Sequence, residues 1–388
     1  MIITIDGNIP SKMAHSFNVM KMAQGFFDAG EKVELVSLLS LPNIKEYLKI
    51  GSINDHYGIS DNIRISLLPV YNRDFLTKRI FAKGFNEKAG KHIAQRKTNY
   101  AYCRSFKTIL ECVKRNIPCV LESHTTDYDN FDLKEVYKIS NNPSFTGLVT
   151  IHESIKQEHV KRGIAKEKIL VLEDGVDLSL YDKLSNNKTE LREKLNLPKD
   201  KILLTYCGGL YREKGIEDIL KLAKELQNDK RFEFILVGGS EKQLNEWKTF
   251  TVNHEIKNIS FKGFEPNSKV PTYLKASDIL LMPYPDLDRF DQMDINSTSP
   301  LKLFEYMAAQ RPIITSKIPV IQKIIEHNKS GMLGEVGNIE QLSELVYQLI
   351  DQPNLSAKIS KNAWDIVQKY SWKRRCMQII DYYNLGEL

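Results

Sequence analysis

Short β-branched runs alternate with longer stretches of helical spacing from one end of this 388-residue chain to the other. In the first half the runs are Ile2 to Ile5, Val33 to Ser37, Ile63 to Leu68, Cys119 to Glu122, Leu148 to Ile151 and Ile169 to Leu172. Helix-length sequence or turn residues separate each from the next, which is the pattern of parallel βαβ units. Met13 to Phe27 carries apolar residues at helical spacings, and Gly30 supplies its stop. That helix starts just after the first strand, so its N-terminus faces the crevice where such sheets bind ligands.

A polar segment from Asp182 to Asp200 interrupts the pattern, and a second series follows. Its strands read Ile202 to Tyr206, Glu233 to Val237, Ile259 to Lys262, Ile279 to Met282 and Pro312 to Thr315. The expectation is α/β, with two doubly wound Rossmann-like domains facing a central cleft. Residues 1–180 form the first domain, 181–371 the second, and 372–388 a helix that returns to the first, with Met377, Ile379, Ile380 and Tyr383 as its apolar stripe. Domain interfaces favour small-molecule sites.

No run approaches the roughly 18 apolar residues of a membrane span, and the opening MIITIDGNIP lacks the layout of a signal peptide. The five cysteines have no paired spacing, which argues against zinc and disulfides and for reduced thiols in a cytoplasmic protein. The net charge is +6, yet thirteen Lys and Arg face only Asp74, Glu87 and Glu111 between Arg64 and Arg115. Tyr71, Phe75, Phe81 and Phe85 interleave with these charges, as at a surface that meets anionic lipid headgroups; the alternative is a solvated helix face. Nucleic acid is a poor fit, because no binding motif accompanies the charge.

Two segments carry chemistry. Asn296 to Ala309 is a loop of small hydroxyl residues running into Pro300 and then a helix, whose unpaired N–H groups attract phosphate. Glu305 lies one turn behind that end, on the face of Leu301, where a carboxylate is placed to accept from a ribose diol; the alternative is an ordinary capped helix. The other is Cys207-Gly-Gly-Leu-Tyr-Arg-Glu-Lys-Gly215, between a strand and the helix Ile216 to Leu226; its glycines let backbone approach a ligand, while Arg212 and Lys214 offer cations. It is neither a dinucleotide fingerprint nor a Walker loop. The remaining histidines show no metal-ligand spacing, and the acidic loop Asp286, Asp288, Asp291 and Asp294 lacks the glycine and terminal glutamate of an EF-hand, so no metal site is expected.

With Ile235 to Gly239, Ile259 to Phe264, Ala276 to Pro283 and Ser299 to Ala308, these segments resemble the GT-B glycosyltransferases of the retaining family 4 type, in their Ser-Pro-x-Lys form. Ala14 to Met20, Leu121 to His124 and Asp174 to Asp177 are similar to that family's acceptor-side loop, strand-end histidine and domain-crossing turn. The resemblance implies a retaining, metal-independent glycosyltransferase with no cofactor. It would move a sugar from a nucleotide-sugar donor to a glycan or lipid-linked acceptor; the basic stretch Arg64 to Arg115 favours bacterial capsule or lipopolysaccharide assembly, peripheral on the inner face of the membrane, over a soluble acceptor. A nucleotide-sugar epimerase and an inactive sugar-binding protein are the alternatives.

By position, the resemblance makes Lys214, Glu305 and His124 catalytic: Lys214 on the diphosphate, Glu305 on the ribose. Donor contacts would come from Gly208, Gly209, Arg212, Ser297, Thr298, Ser299, Leu301 and Lys302, with Gly263, Phe264 and Glu265 around the base, and acceptor contacts from His15, Ser16 and Glu122. Two departures stand out. Gly209 occupies a position where the family commonly has arginine, with Arg212 as the candidate replacement, and Ser297 one where it commonly has glutamate.

Overall fold

The computed structural model describes residues 2–6, 9–11, 14–39, 48, 52–69, 78–96, 100–125, 127–285 and 300–385. They divide into two compact units, Met1–Gly175 with Ser371–Leu388, and Val176–Tyr370.

The first unit is built on seven strands: β1 (Ile2–Asp6), β2 (Val33–Leu39), β3 (Arg64–Pro69), β4 (Tyr100–Cys103), β5 (Cys119–Glu122), β6 (Phe145–Thr150) and β7 (Ile169–Val171). All pairings are parallel, in the order β3-β2-β1-β4-β5-β6-β7. The order reverses between β1 and β4, which places a ligand-binding crevice at the carboxyl ends of these strands. Strands β4 and β5 are buried along their whole length, as helix-covered parallel strands are. On one face, Ile93 of the helix Lys78–Gln95 and Ile109 and Val113 of the helix Phe106–Lys114 pack with Val36, Cys103 and Leu121. Phe85 joins this core at 4% exposure, so it is not one of the surface aromatics expected for a lipid-facing patch.

On the helix Ala14–Asp28 lies the last helix, Trp372–Tyr382. A side chain at Gly25 would put its Cβ 2.7 Å from both the Trp372 carbonyl oxygen and Cys376 Sγ, so glycine is what lets the two helices meet. The face turned inward is Trp372, Arg375, Cys376, Ile379 and Tyr383. Met377, expected in that stripe, is 45% exposed, because it stands about 100° around the helix from Cys376.

The second unit repeats the architecture with β8 (Ile202–Cys207), β9 (Phe232–Val237), β10 (Ile259–Gly263), β11 (Ile279–Met282), β12 (Ile313–Ser316) and β13 (Met332–Gly334). These are again parallel, in the order β10-β9-β8-β11-β12-β13, with the reversal between β8 and β11. The polar segment Asp182–Asp200 is packed into this unit: buried Arg192 donates to the carbonyls of Ala276 and Lys201 and pairs with Asp278 at 2.6 Å. The helix Ile216–Leu226 buries Ile216, Ile219, Leu220, Ala223 and Leu226 on the sheet, and carries Glu217 and Asp218 in its first turn, where the helix dipole favours anions.

All five cysteines are unpaired and buried. Among the described residues no helix is long and apolar enough to cross a membrane.

Candidate functional site

In the second unit the chain leaves β8 at Cys207 and turns through Gly208, Gly209, Leu210 and Tyr211 into a single 3-10 turn, Arg212–Lys214. Gly215 then adopts a left-handed conformation (φ 72°) and opens the helix Ile216–Leu226. A Cβ there would lie 2.2 Å from the Pro283 carbonyl oxygen, so this glycine seats the loop directly against the end of β11 at the reversal point. The helix Leu301–Ala308 is tied to the same strand end, because the Cys207 N–H donates to the Tyr306 hydroxyl at 2.8 Å.

Lys302 sits here, within electrostatic reach of Lys214. The Lys302 ammonium sits 3.7 Å from the centroid of the Tyr206 ring, a cation–π contact, and fills the space where a side chain at Gly208 would stand. Burial pushes the Lys214 ammonium down from its ordinary value. Burial first, and then the charge of Lys214, push Lys302 down to about 7. Glu305, half-buried one turn along the helix, favours the charged form of Lys302 and, after burial, pushes the Cys207 thiol up.

Arg212 points elsewhere. Its guanidinium pairs with Glu246 at 2.7 Å and lies over the Trp247 ring at 5.2 Å. Gly263 closes β10, accepting from the Gly238 N–H at 2.6 Å. Beyond it Phe264 is 43% exposed, while Glu265 accepts from the Tyr273 hydroxyl and pairs with Lys269. Thus Gly208, Gly209, Lys214, Leu301, Lys302 and Glu305 gather around the end of β8, with Gly263, Phe264 and Glu265 at the end of β10. Ser297, Thr298, Ser299 and the acidic loop Asp286 to Asp294 lie outside the described residues.

In the first unit Glu122 and His124 are brought together at the carboxyl end of β5. His124 Nε2 lies 2.7 Å from Glu122 Oε1; in the neutral imidazole this puts the proton on Nε2 and leaves Nδ1 as an acceptor. Glu122 also accepts from the Tyr102 hydroxyl at 2.6 Å and from Arg375 at 3.0 Å. Burial pushes this carboxyl up, but Arg375 and His124 outweigh it and hold it below the usual carboxylate range. Asp174 completes a Glu122, His124, Asp174 group whose ligand atoms lie within 4.8 Å of one another. Since Arg375 already neutralises Glu122, the group reads as a polar network rather than a metal cage.

Ser16 belongs to a different cluster: its hydroxyl meets that of Ser11 at 3.0 Å, and Ser11 is bound in turn by Tyr57. His15 is half-buried beside it. Arg375 belongs to no motif, and its register with Trp372, Cys376 and Ile379 is the signal the sequence offers for its inward face.

The basic stretch is partly neutralised within the unit. Arg64 and Arg96 lie 3.7 and 3.4 Å from Glu34, Lys91 2.8 Å from Glu87 and Lys107 3.4 Å from Asp132, and Arg115 pairs with Glu111. Tyr71 and Phe75 lie outside the described residues.

Residues 187–365, nearly all of the second unit, match the family described as glycosyl transferases group 1. Among solved structures, that of Anabaena Alr3699/HepE in complex with UDP and glucose superposes with a TM-score of 0.72 at 15% identity, covering 100% of this chain and 99% of that one. The chain therefore has the GT-B fold, two Rossmann-like domains.

The relatives include an alpha-galactosylglucosyldiacylglycerol synthase of Streptococcus pneumoniae, 22% identical over 61% of this chain and 60% of its own length. Another is an amylovoran biosynthesis glycosyltransferase of Erwinia amylovora, 25% identical over 59% of this chain and 51% of its own. The chain spans about half the length of the first curated relatives it matches, 48% and 55%.

Proposed function

We propose that this protein is a retaining, metal-independent glycosyltransferase that moves a sugar from a nucleoside-diphosphate donor to a glycan or lipid-linked acceptor in the assembly of a bacterial surface polysaccharide. The observation that carries this reading is the place of Lys302, over the Tyr206 ring at the end of β8 in the first turn of the helix Leu301–Ala308 and within electrostatic reach of Lys214. Charge builds on the leaving diphosphate as the glycosidic bond breaks, and fixed cations aimed at that charge lower the barrier without reorganising. In this reading Glu305 accepts from the ribose, Phe264 offers a face to the base, and His124, held by buried Glu122, is the catalytic histidine of the first unit. That a similar structure holds UDP and glucose, and that relatives are named for glycolipid and amylovoran synthesis, supports the donor and acceptor classes.

The test is incubation of the pure protein with a panel of nucleotide sugars, with and without membrane extract. Nucleoside diphosphate released only when the extract is present is the expected result. Release of an altered free sugar without acceptor would make it an epimerase, and no turnover under any condition a sugar-binding protein.

A further inference from the structure

We propose that Arg375, acting through Glu122, is a positioning residue for His124: it aims one carboxylate oxygen at Nε2, so that the ring is held as the Nε2–H tautomer with Nδ1 left to accept from a substrate hydroxyl. The inference rests on the reading of His124 as the catalytic histidine and names what orients it.

The Glu122 side chain has no exposed surface, and donors occupy both of its oxygens. Oε2 accepts from the Tyr102 hydroxyl at 2.6 Å, while Oε1 faces His124 Nε2 at 2.7 Å and Arg375 Nη2 at 3.0 Å. Glu122 therefore does not reach an acceptor itself, and what it does for a ligand it does through His124. An ionised carboxylate offers only lone pairs, so the ring nitrogen facing it carries a proton. In a neutral ring this leaves Nδ1 as the acceptor, the form that a general base or a hydroxyl-binding histidine needs.

Glu122 alone would not keep the ring neutral. A buried carboxylate beside an imidazole draws a second proton onto the ring, because the imidazolium is then its counterion. Arg375 supplies that charge instead, and a guanidinium does not lose it. Its place is fixed by the Glu173 carbonyl at 2.9 Å from Nε, the Tyr102 hydroxyl at 3.4 Å from Nη1 and the Leu172 carbonyl at 3.5 Å from Nη2. The other charged or titratable groups here are Arg104 just beyond β4, Asp174, which accepts from Asn18 Nδ2 at 2.8 Å, and Cys376 on the last helix. Among the described residues two carboxylates thus face two guanidinium groups, and the charges balance with the ring uncharged.

The experiment is a proton–nitrogen correlation spectrum of the full chain with isotope-labelled histidine, titrated through neutral pH, the His124 signals being assigned by their loss in His124→Gln. Wild type should show a proton on Nε2 and none on Nδ1 once the ring is neutral; an Nδ1–H ring overturns the proposal. In Arg375→Met the unneutralised carboxylate should make the ring protonate about one pH unit or more higher than in wild type, and Arg375→Lys should restore it. A merely structural arginine would change the melt and leave this titration where it was. Where the single variant does not fold, Glu122→Gln/Arg375→Met takes its place. Without the guanidinium nothing selects which end of the amide faces the ring, so both tautomers are expected there, and a pure Nε2–H ring refutes the part given to Arg375. These signals need no turnover, so the positioning can fail while the proposed function stands. If nucleoside diphosphate release is acceptor-dependent, the acid limb of kcat/KM should move with the ring in Arg375→Met; a limb that stays while the ring's titration moves counts against His124 as catalytic, not against its positioning.

Discussion

Arg375 donates to Glu122 Oε1 at 3.0 Å, and the two residues are 253 positions apart in sequence. The remaining N–H groups of the guanidinium are also used: Nε donates to the Glu173 carbonyl, Nη1 faces Met22 Sδ and the Tyr102 hydroxyl, and Nη2 also faces the Leu172 carbonyl. A fully buried pair is a modest source of stability when intact, but removing one partner strands the other charge. Arg375→Met should therefore destabilise the first unit by about 3–5 kcal/mol, and Glu122→Gln in that background should recover part of the loss. Thermal melts read by near-ultraviolet circular dichroism test this, and an Arg375→Met protein that melts like wild type would refute it.

The same pair sets an acid sensitivity. Glu122 has a lower pKa in the folded unit than in the unfolded chain, so its contribution is fully present above about pH 5 and is lost as pH falls below that. Arg375→Met removes the main cause of the depression and should move acid unfolding of the first unit to higher pH. Overlapping acid-unfolding curves for the two proteins would contradict this.

Deleting residues from Trp372 onward should expose Met22 and Phe26, buried in the helix Ala14–Asp28, and leave the second unit folded. Limited proteolysis should then cut the first unit rapidly while a fragment near Val176–Tyr370 survives. Gly25→Leu should reproduce the effect in the full chain, because its side chain has nowhere to go but into Trp372 and Cys376. Equal resistance of both units in the truncated protein would show that the helix is not part of the first unit's core.

If Lys214 neutralises the leaving diphosphate, Lys214→Ala should cost on the order of 100-fold in turnover, comparable with removing one preorganised oxyanion donor. The measurement is acceptor-dependent release of nucleoside diphosphate. Turnover within a few-fold of wild type would remove this residue from the mechanism.

For the basic stretch, charge reversal of Lys78, Arg79, Lys83 and Lys88 on the helix Lys78–Gln95 should abolish sedimentation with anionic vesicles at low salt, each nearby basic residue contributing about 1 kcal/mol. Binding that is equal for neutral vesicles, or that survives the reversals, would mark the stretch as a solvated face.

Both sheets were legible because parallel strands covered by helices read as apolar runs, and Ile202 to Tyr206 or Ile279 to Met282 cannot be mistaken. Strand β4 was not, since Tyr100 to Cys103 is four residues of mixed type inside a basic stretch, and β13 is only three residues long. The glycine loop at Gly208 and the helix behind Pro300 announced themselves through turn and cap chemistry. The partner of Lys302 did not: Tyr206 lies on a strand far away in sequence, and no spacing rule connects them. Arg375 was hidden for the opposite reason. Its neighbours Lys373 and Arg374 are exposed, and a run of basic residues gives no local sign of which one turns inward.

The docked helix Trp372–Tyr382 also bears on how the protein is made. The first unit begins to be synthesised before the second yet is completed after it, because its final helix is encoded beyond Tyr370. At about 5–20 residues per second, the residues up to Gly175 wait at least about 10 to 40 s for that helix while Val176–Tyr370 is translated. During that interval Met22 and Phe26 are open to solvent and Glu122 has no counterion from Arg375. The half of the chain that emerges earliest is thus the half completed last, and the second unit, though later in the sequence, has all its residues first.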